Sequence, residues 1–260
     1  MRISKLKTDS TNFTSFFNNF INNLFFLNKM VRGKSKRRHV LVTNLNSNPN
    51  VGLYGYATDK YCLLGTEVPD DIATEIAEVL DVPVIRMNIA GTSLIGVFLN
   101  GNNTCLLVPK IAFPNELQVL DKNKIKYKLI DTKLTCLGNN IICNDNGCLV
   151  SNEYGEKEIK AFKDALKVDV VKAEIAELNT LGSLAVHTKK GLLCHHEILE
   201  HEAELIKKIL KVEVFTGTVN MGVPFIGSGI ICNNKGFVIG DASGGPEIVN
   251  ADEALGFING

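Results

Sequence analysis

The sequence predicts an α/β chain of five similar ββαβ units, each about 44 residues long, closed into a five-fold pseudo-symmetric ring. Three observations carry this. A glycine read as opening an apolar strand recurs at Gly52, Gly96, Gly138, Gly182 and Gly227, at intervals of 44, 42, 44 and 45 residues. Nine residues after these stand Tyr61, Cys105, Gly147, Gly191 and Gly236, so three units share a second glycine, each preceded by Asn or Lys. That pattern between two apolar runs reads as a hairpin, and Asn-Gly favours a type I′ turn with positive φ at both central residues. A helical pattern and a short apolar run follow each hairpin. One such unit cannot bury both its sheet face and its helix face. Five similar units with no distinct capping unit fit a ring, which leaves fewer sheet edges than an open row.

In chain order, residues 1–38 stand apart. The stretch FTSFFNNFINNLFFL (13–27) places Phe13, Phe16, Phe17, Phe20, Ile21 and Leu24 at helical spacing, with Asn on the other face. Phe and Asn are mediocre helix formers and Met30 offers a second start, so composition favours a disordered or non-native extension. A flexible basic arm, or a membrane-surface anchor beside RGKSKRR (32–38), are the other readings. Residues 39–260 read as a single domain, with repeats near 40–83, 84–126, 127–170, 171–214 and 215–260. HVLVTNL (39–45) is an orphan strand that would complete the fifth unit and close the ring. Helices are expected at 69–80, 114–120, 156–166, 200–210 and 245–258. Ile72, Ile76, Val79 and Leu80 form one apolar face, and Ile159, Phe162, Ala165 and Leu166 another. Acids cluster in the first turns, where the helix dipole favours them. The matching exits LDVPV, LKVDV and LKVEV read as short strands.

Charge is divided unevenly. Residues 1–39 hold nine Lys and Arg against one acid, a balance of +8, and from residue 40 on 19 basic residues face 27 acidic ones, a balance of −8. A body of −8 repels phosphate at long range, so the ring is no general nucleic-acid binder and any RNA contact by it has to be local. Seven cysteines, an odd number with no C-x-x-C and no signal peptide ahead of them, indicate free thiols in a reducing cytoplasm. No run reaches about 18 apolar residues, so no transmembrane helix is expected.

Equal offsets in a ring occupy equivalent places around its axis. Five residues past the repeat glycines stand Ala57, Gly101, Cys143, His187 and Cys232. Cys143, His187 and Cys232 are thus candidates to converge, and two Cys with one His is a zinc-compatible set. A free Cys is as readily a small buried hydrophobe, and no metal or other cofactor is expected. Cys232 is also the candidate nucleophile of an enzyme, which would need a thiolate with a base in reach. A position filled by Ala, Gly, Cys, His and Cys reads instead as tight packing. Cys62, Cys105, Cys148 and Cys194 read as core of the second hairpin strand, and His195 and His196 as exposed loop histidines.

Five phrases, in order and spacing, point further. IAGTSLIG (89–96), LVPK (107–110), CND (143–145), GTVNMG (217–222) and GPE (245–247) resemble the translation initiation factor 6 family in its archaeal form, over roughly residues 44–260. The resemblance implies the pentein arrangement, a five-bladed α-β propeller, and a non-enzymatic, cytoplasmic factor expected to act as a monomer. It implies binding to the large ribosomal subunit at its intersubunit face, blocking of small-subunit joining, and a part in large-subunit maturation. The partner it implies is a ribosomal protein of the L14 class, with the L24e protein and the sarcin-ricin loop of rRNA nearby. Pentein enzymes, guanidine-modifying hydrolases and amidinotransferases with a Cys nucleophile, are the alternative. The sequence departs from the family pattern in its first 38 residues, in ASGGPE (242–247), where two threonines more often precede GPE, and in Asp59-Lys60, where other units have a turn glycine. The resemblance points to the face around the repeat glycines. The expected ribosome contacts are Asn144 of the CND phrase, Ser93 and Val97 beside IAG, and Leu184, two residues past the fourth glycine. Asn144 equally suits a turn ahead of Asp145-Asn146-Gly147.

Overall fold

The computed structural model describes residues 38–258, so the readings of the N-terminal extension lie outside the described residues. Among the described residues, fifteen strands form five three-stranded sheets. The first holds β2 (Gly55–Ala57), β3 (Cys62–Gly65) and β4 (Val84–Met87), and the second β5 (Asn100–Gly101), β6 (Leu106–Pro109) and β7 (Tyr127–Ile130). The third holds β8 (Ile141–Cys143), β9 (Gly147–Ser151) and β10 (Asp169–Ala173), and the fourth β11 (Ala185–His187), β12 (Gly191–His195) and β13 (Glu213–Gly217). The fifth joins β14 (Ile230–Asn233) and β15 (Gly236–Gly240) to β1 (Val40–Thr43). In each sheet the central strand pairs antiparallel with its hairpin partner and parallel with the third strand.

A parallel partner needs a crossover, and a helix supplies it in the first four units. The helices are α1 (Asp70–Leu80), α2 (Pro114–Lys122), α3 (Glu156–Leu166), α4 (Glu200–Leu210) and α5 (Gly245–Ala254). The expected ββαβ unit is therefore present five times, with β1 completing the fifth sheet, Val40 opposite Phe237 and Thr43 opposite Gly240. His39 anchors the start of β1: its Nε2 lies 2.9 Å from Asp252 Oδ1 on α5, and its ring stacks on Phe257.

Every residue of β3, β6, β9, β12 and β15 is buried, as suits a central strand with both faces covered. The core is shared between neighbouring units. Leu107 and Ile130 of the second unit pack with Cys148 and Phe162 of the third, and Leu41 and Val238 of the fifth with Leu64 and Ile76 of the first. Stability is thus a property of adjacent pairs of units rather than of any unit alone.

Two expectations about glycine are corrected. The repeat glycines do not open strands; each is the second residue of a single helical turn, Val51–Tyr54, Ile95–Phe98, Leu137–Asn140, Leu181–Leu184 or Ile226–Gly229. A Cβ on Gly96 would collide with the carbonyl oxygen of Gly52, one on Gly138 with that of Gly96, and so on through Gly182 and Gly227 back to Gly52 against Gly227. Close approach of five backbones in a cycle, not strand geometry, excludes a side chain there. The hairpin tips are not type I′ turns either, since none of their residues has positive φ. Paired positive φ values occur at the opposite junctions, at Asn46–Ser47, Ala90–Gly91, Ala176–Glu177 and Asn220–Met221. The second glycine is set by packing: Gly147 lies against Ile209, Gly191 against the Ala254 carbonyl and Gly236 against the Val79 carbonyl, each near the end of the next unit's helix.

Candidate functional site

The five helices share one polarity, which gives the molecule two unlike ends. At their N-terminal end the first turns carry Asp70 and Asp71, Glu116, Glu156 and Glu158, Glu200 and Glu202, and Glu247. Three of these carboxylates also hold the turn that leaves the preceding unit. Glu116 accepts the N–H groups of Phe113 (2.7 Å), Ala90 (2.9 Å) and Gly91 (2.8 Å). Glu202 accepts those of Leu199 (2.9 Å), Ala176 (2.8 Å) and Glu177 (3.1 Å). Glu247 accepts those of Gly244, Met221 and Gly222 and the Thr218 hydroxyl. Burial pushes the Glu247 carboxyl up, but these donors outweigh it and hold the group below the usual carboxylate range. Inside this rim lie the five glycine turns, VGLY, IGVF, LGNN, LGSL and IGSG, without a charged residue among them.

At the opposite end are the hairpin tips. Six residues past each repeat glycine stands Thr58, Asn102, Asn144, Thr188 or Asn233. Its side-chain oxygen accepts backbone N–H groups within the tip; for Asn144 these are Asn146 at 2.9 Å and Gly147 at 3.1 Å. Four of the five also reach the last carbonyls of the next unit's helix. Asn102 Nδ2 donates to Leu166 O (3.0 Å), Asn144 Nδ2 to Leu210 O (2.8 Å), Thr188 Oγ1 to Leu255 O (2.9 Å) and Asn233 Nδ2 to Leu80 O (2.8 Å). These are carbonyls that a helix end leaves without an internal partner. The side chains therefore staple four of the five units to the next.

The four expected contact residues are not brought together. Asn144 is in a hairpin tip, with both polar atoms of its side chain engaged. Ser93 is 3% exposed and donates its hydroxyl to Asn88 Oδ1 at 3.1 Å, and Leu184 is 0% exposed in the core. Val97 alone is part-exposed on a glycine turn. Its equivalents, one residue past each repeat glycine, are Leu53, Asn139, Ser183 and Ser228, all half-buried. All five share the offset of one from the repeat glycine.

Between the two ends lies an axial cavity of about 380 Å³, lined at one end by the repeat glycines and at the other by the tips. Cys143, His187 and Cys232 do converge on it. Each nevertheless turns to backbone: His187 Nε2 meets the Cys143 carbonyl at 3.0 Å, Cys232 Sγ the His187 carbonyl at 3.3 Å and Cys143 Sγ the Asn144 carbonyl at 3.6 Å. Among the described residues no group of three His, Cys, Asp or Glu is placed to hold a metal ion. Burial pushes the Cys232 thiol up to about 12 and the Cys143 thiol well above its ordinary value, so neither supplies the thiolate a nucleophile requires. Burial likewise holds His187 below its ordinary value.

Cys62, Cys105, Cys148 and Cys194 are buried, as their spacing predicts. His195 corrects an expectation: it ends β12 at 5% exposure, its Nδ1 accepting the Glu197 N–H, with its ring stacked on the exposed His196. The strand runs one residue further than the apolar pattern announces. No helix among the described residues is long and apolar enough to cross a membrane.

A model of the eIF-6 family matches residues 40–254. Proteins named translation initiation factor 6 are similar along most of the chain. The one from Thermococcus onnurineus is 35% identical over 228 residues, covering 85% of this chain and all of that protein. The one from Pyrococcus abyssi is 37% identical over 226 residues, with the same coverage, and the one from Staphylothermus marinus 37% identical over 216 residues, covering 82% and 95%. Among solved structures, DDAH from Pseudomonas aeruginosa complexed with citrulline is similar with a TM-score of 0.42 and 12% identity, over 64% of this chain and 67% of that one.

Proposed function

The chain belongs to the eIF-6 family, and from that premise we propose that it acts in translation initiation by binding the large ribosomal subunit at its intersubunit face. Bound there, it keeps the small subunit from joining, and it takes part in large-subunit maturation. It is a cytoplasmic binding factor rather than an enzyme. The supporting observation is the charge pattern of the glycine-turn end, a neutral centre inside a rim of carboxylates. A docking surface has to shed water, and uncharged turn residues do so at little cost. The carboxylates exposed on that rim, Asp70, Asp71, Glu156 and Glu200, suit a basic protein and repel rRNA phosphate, which favours docking at one place. A ribosomal protein of the L14 class is such a partner, with L24e and the sarcin-ricin loop as neighbours. The contacts we assign to it are Val97, Leu53, Asn139, Ser183 and Ser228; Ser93 and Leu184 support the turns from inside, and Asn144 holds the units together. Sedimentation on a sucrose gradient with isolated subunits tests this. The protein is expected with large subunits and not with small ones, and joined ribosomes are expected to decline as it is added. Protein left at the top of the gradient, with joining unchanged, removes the proposal.

A further inference from the structure

We propose that the tip end of the molecule carries an RNA-binding patch centred on Lys122, Lys124, Lys126 and Lys128. The patch lies at the other end from the glycine turns, and it goes beyond the large-subunit reading without depending on it. Lys122 closes α2, Lys124 occupies the left-handed turn that follows (φ 55°), Lys126 precedes β7 and Lys128 lies on it. All four are exposed. None forms an ion pair among the described residues, where Lys110 and Lys157 share Asp131, Lys189 meets Asp59, Lys207 meets Glu204 and Glu213, and Lys235 meets Asp81.

The alternation is what gathers the charge. Residues two apart on an extended segment share a face, so Lys126 and Lys128 stand on one side while Tyr127 packs inward on the other. Both lysines act on the Cys105 thiol of the neighbouring tip, which burial raises and they lower. Asp121, the carboxylate within this segment, interacts with the Tyr127 hydroxyl. On the other flank α3 packs against β7, and the Asn102 staple to Leu166 O ties the C-terminal end of α3 to the same hairpin. That end adds the exposed Lys163 and Lys167, with Asp164 between them.

Four flexible ammonium groups within seven residues, with no arginine fork and no aromatic platform, suit phosphates rather than base edges. A nucleic-acid strand carries charge densely enough to meet lysines spaced about 7 Å apart on an extended segment. Within residues 40–260, whose balance is −8, repulsion confines such a strand to this end. The patch therefore binds RNA by its backbone, without sequence preference.

The test titrates full-length protein with a labelled single-stranded RNA oligonucleotide over a range of salt. One variant carries Lys122→Gln, Lys124→Gln, Lys126→Gln and Lys128→Gln; a control carries the same charge change as Lys110→Gln, Lys133→Gln, Lys157→Gln and Lys172→Gln. Melting curves establish that both are folded. The patch variant is expected to bind about tenfold or more weaker, and its slope of log affinity against log salt to shrink by about 0.7 per lost phosphate contact. The control is expected to stay near the parent. Equal losses in the two variants overturn the proposal. Because free RNA is the ligand, such a failure leaves large-subunit binding intact, and failure of subunit binding leaves the RNA titration intact.

Discussion

Asn144 shows how one side chain serves two units. Its oxygen accepts two N–H groups of its own tip, and its Nδ2 donates to Leu210 O at the end of α4. Leu210 O also receives Asn146 Nδ2 at 3.0 Å, so removing Asn144 does not orphan that carbonyl. Asn144→Ala is therefore expected to cost about 1–2 kcal/mol, a fall in melting temperature of roughly 3–6 °C for a chain of this size. Calorimetry checks this, and an unchanged melting temperature means the staple is idle. His187 gives a pH dependence. Burial outweighs its bonds to backbone and lowers its folded pKa, so its contribution to stability is present above its ordinary value near 6.5 and fades as pH falls below it. Urea midpoints at neutral and mildly acid pH should differ more for the parent than for His187→Gln. Equal differences contradict the assignment. The sequence offered both a turn role and a contact role for Asn144, because the same amide serves either. The partner that its Nδ2 takes in the fold, Leu210, lies 66 residues away, out of reach of local sequence reading.

The elements divide by how strongly their period is written. Helices α1, α3 and α4 and the strands after them were legible because eleven residues of 3.6-period pattern are followed by a near-identical phrase each time. The glycine turns were not, because four residues such as LGSL give no period to read, and an apolar strand begins directly after them. Nor were the tips, where a glycine that looked like a turn former is kept small by the next unit's helix. The orphan strand was legible by counting alone: five units need five third strands. Its role predicts hydrogen-exchange protection at Val40–Val42 close to that of their partners Phe237–Ile239. Rapid exchange at β1 with β15 protected would mean that β1 does not hold the fifth sheet.

Over the whole molecule, parallel helices sort charge along the axis. Carboxylates gather at the N-terminal ends and lysines at several of the C-terminal ends, each favoured by the helix dipole. The result is one end with an uncharged centre, where exposed carboxylates stand beside the ion-paired Arg86, Lys110 and Lys157, and an opposite end where Lys122, Lys124, Lys126 and Lys128 stand without ion pairs among the described residues. Net charge alone hides this, since a balance of −8 says nothing of direction. Of the residues expected to make contact, Val97 is part-exposed whereas Ser93 and Leu184 are buried, a difference that offsets from the repeat glycine do not reveal. Co-sedimentation with purified large subunits, for the parent and for a variant carrying Ser183→Lys and Ser228→Lys with unchanged melting temperature, discriminates the proposed face. If the neutral centre docks on a basic ribosomal protein, the parent travels with the large subunit and the variant stays behind. If the variant binds as well as the parent, or better, the glycine-turn end is not the protein-docking face.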